Sequence, residues 1–355
     1  MADVTVLDVR LHGTPIGTLT NIQGDRTLFA FRQDYIDDPD RLTLSLSFKD
    51  QFGELITDFR PYQTRVPPFF ANMLPEGAMR EYLAEQAGVN PKRDFFLLWV
   101  LGQDLPGAVT IVPSEGQAWP PGSGGTGGID TETDRALNAL RFSLAGVQLK
   151  FSAMEEAPGG LTIPAQGIGG SWIVKLPSMH YRGVPENEYA MMQLARQLGM
   201  TVPEVQLVDI NTIANLPEAI NKLDEHKALA VKRFDRQADG TPVHIEDFAQ
   251  VFGRFPEDKY GSASYRNIAY VLGVETGEAD IVEFVRRLVF NTLIGNADMH
   301  LKNWSLIYPD GHQPALAPGY DFVSTVAYIR DDTAALKFGR TNRMPKFTMD
   351  ELRYM

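Results

Sequence analysis

The chain of 355 residues contains no cysteine. That excludes disulfides and thiolate zinc sites, and it fits a reducing, cytoplasmic setting. With 6 histidines and no carboxylate at a His-x-x-x-His spacing, a zinc site is not expected either. No stretch approaches the ~18 uninterrupted apolar residues of a membrane helix. The opening Met-Ala-Asp-Val-Thr-Val lacks the basic start and apolar core of a signal peptide. Basic residues are the minority: 33 Lys and Arg against 45 Asp and Glu give a net charge of -12, which argues against a large nucleic-acid-binding face. Hydrophobic residues at 44% and charged residues at 22% are those of an ordinary globular chain, long enough for two or three domains with their own cores.

The first part reads as mostly strand. Val4, Val6 and Val9 precede a His12-Gly13 turn, and apolar runs resume at Ile16–Leu19 and Leu28–Phe31. Residues 42–48, Leu-Thr-Leu-Ser-Leu-Ser-Phe, alternate strictly, the mark of a half-buried strand. Pro75 suits the first turn of a helix running to about Ala87, with Gly88 closing it. Phe95 to Leu101 is apolar throughout, and periodicity does not choose between helix and strand. Ala108 to Val112 reads as a further strand. A Gly- and Pro-rich stretch follows, with no means of burying a core. It lacks the Lys-Ser/Thr of a Walker loop. Four units are expected: a β-rich N-terminal subdomain at 1–113, a connector at 114–130, a small lobe at 131–235 and a mainly helical large lobe at 236–355.

Chemistry gathers in the last two units. Lys175 lies within the apolar strand Ser171–Pro177, and a buried ammonium requires a partner. Glu188 opens the next helix, whose apolar face carries Ala190, Met191, Leu194, Ala195 and Leu198. Strands are expected at 202–210 and 227–234, then a crossover at Phe234-Asp235-Arg236, and a helix that begins with the segment 243–251, where His244 reads as structural. A helix at 279–294 presents Ile281, Phe284, Val285, Leu288, Val289, Thr292 and Leu293 as its buried face. Directly after it comes Gly295-Asn-Ala-Asp-Met-His-Leu-Lys-Asn303, and eighteen positions beyond Asn303 lies Asp321. A strand Lys, a helix Glu, a crossover, Asp-x4-Asn and a downstream Asp-Phe are the ordered parts of a protein-kinase-type phosphotransferase. In that arrangement Asp298 takes the proton of the attacking hydroxyl. Asn303 and Asp321 offer the oxygen ligands that suit magnesium. Lys302 stabilises the transferring phosphate, and His300 helps hold the nucleotide or the loop.

The motifs resemble those of the HipA family of bacterial toxin serine/threonine kinases. The resemblance rests on Asn72–Gly77, Ser143-Leu-Ala-Gly-Val-Gln-Leu-Lys150, Ile173–Pro177, Asn187–Tyr189, Arg233–Arg236, Glu246–Phe248, Gly295–Asn303 and Tyr320-Asp321. It implies an α+β, two-lobed protein-kinase-like fold behind a β-rich N-terminal subdomain. It implies that Ala145, Gly146, Val147, Gln148, Leu149 and Lys150 bind ATP phosphates, supported by Lys175, which pairs with Glu188. Lys232, Arg233 and Phe234 would line the adenine crossover, and Lys232 stands where some members carry an acidic residue. His300, Lys302, Asn303, Tyr320 and Asp321 would complete the ATP and Mg²⁺ site, with Asp298 as base. Ser143 stands at the family's autophosphorylation position, where a phosphate would repel the nucleotide and switch the kinase off. A small DNA-binding antitoxin (HipB-like) is the implied partner, with DNA reached only through it. The implied substrate is a translation component such as an aminoacyl-tRNA synthetase. The chain ends 34 residues after Asp321, so either an abbreviated large lobe or a truncated form of the sequence is expected. A small-molecule phosphotransferase of related fold and a non-catalytic partner-binding module are the competing readings.

Overall fold

The computed structural model describes residues 4–120, 150–157, 160–162, 170–178, 180–214, 216 and 224–355. Ser143 and Ala145 to Leu149 lie outside the described residues, as does most of the connector.

Among the described residues, three antiparallel sheets carry the architecture. The first has the order β4-β3-β2-β1-β5, built from Val6–Leu11 (β1), Thr14–Ile22 (β2), Arg26–Phe31 (β3), Tyr62–Gln63 (β4) and Val109–Pro113 (β5). Alternation sets its register. Leu7 and Leu19 face each other across β1 and β2, and both are fully buried. Beneath the sheet lies a phenylalanine cluster. Phe29, Phe31, Phe48, Phe59, Phe69 and Phe70 contact one another, mostly edge-on or tilted, the arrangement that ring quadrupoles favour.

The second sheet has the order β7-β6-β8-β10-β9, from Lys150–Ala157 (β6), Gly160–Thr162 (β7), Trp172–Lys175 (β8), Val205–Asp209 (β9) and Lys227–Lys232 (β10). Its Ala153, Trp172, Val174, Ala228 and Ala230 join the same apolar core as the first sheet. The helix Val184–Gln197 packs on it through Met192 and Ala195, which share a cluster with Leu229, Val231, Phe290 and Phe322. The third sheet, His244–Asp247 (β11), Ser305–Tyr308 (β12) and Ala315–Leu316 (β13), sits among the helices Phe248–Val251, Tyr265–Glu275 and Glu278–Leu293. Phe248, Tyr265, Phe284, Leu288 and Trp304 fill the core there.

Several sequence expectations are corrected. Residues 42–48 do not form a strand. They run extended into a 3-10 turn at Leu46–Phe48. The cause is a carboxylate: the Ser45 hydroxyl and the Leu46 amide donate to the buried Glu246, so these groups are not available to a neighbouring strand. Residues 243–251 begin as strand β11, and the helix starts only at Phe248, capped by Asp247. The helix before the Asp-Asn loop is rotated from its expected face. Leu293 is 80% exposed, while Arg287 and Asn291 are buried. Arg287 offsets the cost of that burial by bonding Glu283 and the Ala317 carbonyl. Likewise Leu194 is exposed on the helix Val184–Gln197, as is Leu198 that caps it, and the inner face of the helix is Pro185, Glu188, Met192 and Ala195. The helix after Pro75 starts at Gly77, and Asp94–Leu101, left open above, is a helix buried along its whole length.

Candidate active site

Lys175 ends strand β8, paired in register with Leu229 on one side and Lys150 on the other. Its ammonium lies between the carboxylates of Glu188 and Asp321. Burial opposes its charge, but Asp321 and Glu188 outweigh it and hold the group above the ordinary lysine range. The helix Val184–Gln197 therefore buries Glu188 for a reason: it answers a buried cation. Asp321 stands with φ of 55°, a left-handed conformation that Asp tolerates better than most residues.

The Asp-Asn loop begins at Gly295, whose φ is +68° and whose missing Cβ leaves room for Val326. Asn296 then ties the loop together. Its amide donates to Asn291 Oδ1 (2.7 Å) and to the Asp321 carbonyl (3.3 Å), and its Oδ1 accepts from the Asp298 amide (3.0 Å). Asp298 and Asp321 are thus linked through one buried asparagine. Asn303 donates its side-chain amide to the Asp298 carbonyl at 2.7 Å. That bond fixes the amide, and its oxygen is the atom with which Asn303 would hold magnesium. Asn303 and Asp321 both carry oxygen donors of the hard kind that Mg²⁺ takes. Tyr320 donates to the Lys302 carbonyl at 2.9 Å and pairs with Ser305, while its ring lies 5.6 Å from Phe234. The sequence-expected residues Lys175, Glu188, Asp298, His300, Lys302, Asn303, Tyr320 and Asp321 therefore belong to one linked region.

Two of the expected residues face elsewhere. The Arg233 guanidinium is buried and bonds Asp235 and Asp104, the latter from the N-terminal domain. Arg236 joins them, bonding Asp104, Asp235 and the Gly107 carbonyl. The Gly107 amide donates to Asp235 at 2.8 Å, at a φ of +76° where a Cβ would sit 2.8 Å from the Ile245 nitrogen. Arg233 is thus an anchor between domains through its side chain. Lys232 is half exposed and bonds Glu204 at 3.2 Å.

Other residues here carried no assigned role in the sequence. Tyr260 donates its hydroxyl to Asp298 Oδ1 at 2.8 Å, which raises the phenol above its ordinary range, burial being the larger cause. No periodicity or spacing points to it. Glu76, from the N-terminal domain, bonds Lys302 (2.7 Å) and Lys259 (2.8 Å). Burial works against its ionised form, yet Lys302 and Lys259 prevail and lower it to about 2. His300, edge-on to Tyr260, is pushed down to about 3 by burial and by Lys259. It is therefore neutral at physiological pH. Its Nδ1 has no hydrogen-bond partner among the described residues. Asn72 and Glu76 both belong to the Asn72–Gly77 segment, so that segment was the available signal.

The arrangement can hold a polyanion beside a carboxylate base. The HipA N-terminal domain matches residues 7–112, and the HipA-like C-terminal domain matches 142–353. Y4dM of Sinorhizobium fredii, provisionally named a kinase, is 61% identical over 361 residues, spanning 100% of this chain and 86% of that protein. The serine/threonine-protein kinase toxin HipA of Shewanella oneidensis is 29% identical over 300 residues, 74% of this chain and 64% of the toxin. The solved complex of Shewanella oneidensis HipA with HipB and operator DNA superposes with a TM-score of 0.70 and 23% identity, covering 98% of this chain and 83% of that one. The α+β kinase-like fold with its antiparallel, β-rich N-terminal region is accordingly that of HipA. With both domains matched and a relative 61% identical across the whole of this chain, the chain belongs to the HipA family of toxin kinases.

Proposed function

We propose that this chain is an ATP- and Mg²⁺-dependent serine/threonine protein kinase that acts as a growth-inhibiting toxin. The supporting observation is the Asn296 bridge between Asp298 and Asp321, with Lys175 held on Asp321. Phosphoryl transfer needs little covalent help, only in-line positioning and neutralised charge. Asp298 orients the acceptor hydroxyl and receives its proton. Lys175 steadies the nucleotide phosphates, with Lys302 and His300 nearby. Asn303 and Asp321 hold magnesium, which when bound neutralises charge developing on the phosphates. Lys232, Arg233 and Phe234 would meet adenine through their backbone, since the Arg233 side chain is engaged with Asp104 and Asp235.

The units 1–113, 131–235 and 236–355 would act as N-terminal domain, small lobe and large lobe, joined at 114–130. Ala145 to Lys150 would cradle the phosphates, and phosphorylation of Ser143 would switch the kinase off. A HipB-like antitoxin is the proposed partner, with DNA reached through it. A translation component such as an aminoacyl-tRNA synthetase is the proposed acceptor, in the cytoplasm.

Incubation of the purified chain with labelled ATP and Mg²⁺ is expected to label the chain itself or a target protein. Asp298→Asn should reduce that labelling by about 10³-fold, with the thermal midpoint little changed. Undiminished labelling by Asp298→Asn would exclude Asp298 as the base.

A further inference from the structure

The Asn72–Gly77 segment has no part in the chemistry above, yet it reaches from the N-terminal domain to the Asp-Asn loop. Both oxygens of Glu76 are engaged: Oε1 with Lys302 Nζ at 2.7 Å and Oε2 with Lys259 Nζ at 2.8 Å. Lys302 also donates to the Asn72 carbonyl at 3.0 Å. The three charged side chains are only 7% (Lys302), 10% (Lys259) and 17% (Glu76) exposed. The segment itself is pinned to the large lobe: the Asn72 amide donates to the Arg254 carbonyl at 2.7 Å, and Gln250 donates to the Phe69 carbonyl at 2.9 Å.

We infer that Glu76 is a positioning residue for the loop at 297–303, acting through Lys302 and Lys259; its link to catalysis rests on the kinase reading given above. Each lysine leads to a different part of the loop. Lys302 precedes Asn303, whose side chain holds the Asp298 carbonyl. Lys259 accepts the Leu301 amide on its carbonyl at 3.3 Å, and its neighbour Tyr260 bonds the Asp298 carboxylate. A single carboxylate thereby fixes two ammonium groups that would otherwise repel each other and move independently. Two cations on one anion still leave net positive charge, which suits a site that receives a phosphate. A strand-rich domain remote in sequence thus completes the kinase loop, through its Glu-Gly corner.

The test compares the full chain with Glu76→Gln and Glu76→Asp, without nucleotide, by hydrogen-exchange mass spectrometry, alongside thermal unfolding. Glu76→Gln is expected to speed exchange within 297–303 while β1 to β3 stay protected, and Glu76→Asp to restore part of the protection. With labelled ATP, Glu76→Gln should lose up to about 10²-fold in kcat, with the nucleotide KM nearly unchanged. Unchanged exchange at 297–303 in a folded Glu76→Gln protein would overturn the inference. So would equal loss in the Gln and Asp variants. If the unsubstituted chain transfers no phosphate, the kinase reading fails, and the exchange data still decide the role of Glu76. Should Glu76→Gln not fold, Lys259→Gln leaves Glu76 paired with Lys302 and is expected to loosen 297–303 more mildly; no change there would likewise overturn the inference.

Discussion

Two buried lysines flank the candidate site, and they are held in different ways. Lys175 takes its partners from within the kinase segment: Glu188, 13 residues away on the next helix, and Asp321, 146 residues away. Lys302 takes its carboxylate from another domain, Glu76, 226 residues away. The first arrangement sits inside one lobe-to-lobe contact and comes with the kinase fold. The second exists only because the N-terminal domain is docked on the large lobe. The docking also has a second buried anchor, where Arg233 and Arg236 meet Asp104 and Gly107. One ammonium therefore reports on the kinase core and the other on its attachment to the N-terminal domain.

Substitutions separate the two. Lys175→Met should have the largest effect on stability. It leaves Glu188, only 3% exposed, as a buried charge with its main cation gone, and should cost about 3–5 kcal/mol. The loss would appear as a lower urea midpoint, with nucleotide binding lost as well. A stability close to that of the parent would show that Glu188 is rehydrated or otherwise paired.

A pH series addresses the other lysine. Glu76 is lowered from its ordinary 4.5 to about 2 by Lys302 and Lys259 against the cost of burial. A carboxylate with a depressed folded pKa contributes stability that is present above pH 4.5 and is lost as pH falls towards about 2. The gap in thermal midpoint between the parent chain and Glu76→Gln should therefore close across that window. Glu246 has the opposite sign. Burial raises it to about 7, against bonds from Ser45, Tyr308 and Leu46, so its contribution is lost as pH rises through about 7. Because Glu246 is present in both proteins, the difference between them isolates Glu76.

Tyr260→Phe should be the mildest. It removes the bond to Asp298 and keeps the ring against His300. That bond ends the chain by which Lys259 and Tyr260 orient the Asp298 carboxylate, so the KM for a protein acceptor should rise by about fivefold, equivalent to about 1 kcal/mol. A fall in that KM would mean that the phenol competes with the acceptor for Asp298 instead of orienting it.

Legibility in the sequence followed distance along the chain. The helix Glu278–Leu293 and the strands around Lys175 and Ala228–Val231 were readable from local periodicity. The faces of the helices were not, because Arg287, Asn291 and Glu188 are buried by partners that a hydrophobic pattern cannot register. Residues 42–48 alternate as a strand should, yet Glu246, 200 residues away, takes the Leu46 amide. Tyr260 and Asn296 carry no distinctive spacing. They matter because folding brings their polar atoms to Asp298.

The order of the kinase parts, and the kind of chemistry they support, was written in the chain itself, because residue type and spacing along a strand, helix and loop are local properties. So was the family, through motifs that run along most of the chain. Which charges meet was a matter for the folded molecule. Glu76 with Lys302 and Lys259, and Arg233 with Asp104, are pairs made by packing one domain on another. A buried charge must find an opposite one wherever the fold places it, and no local pattern records where that is.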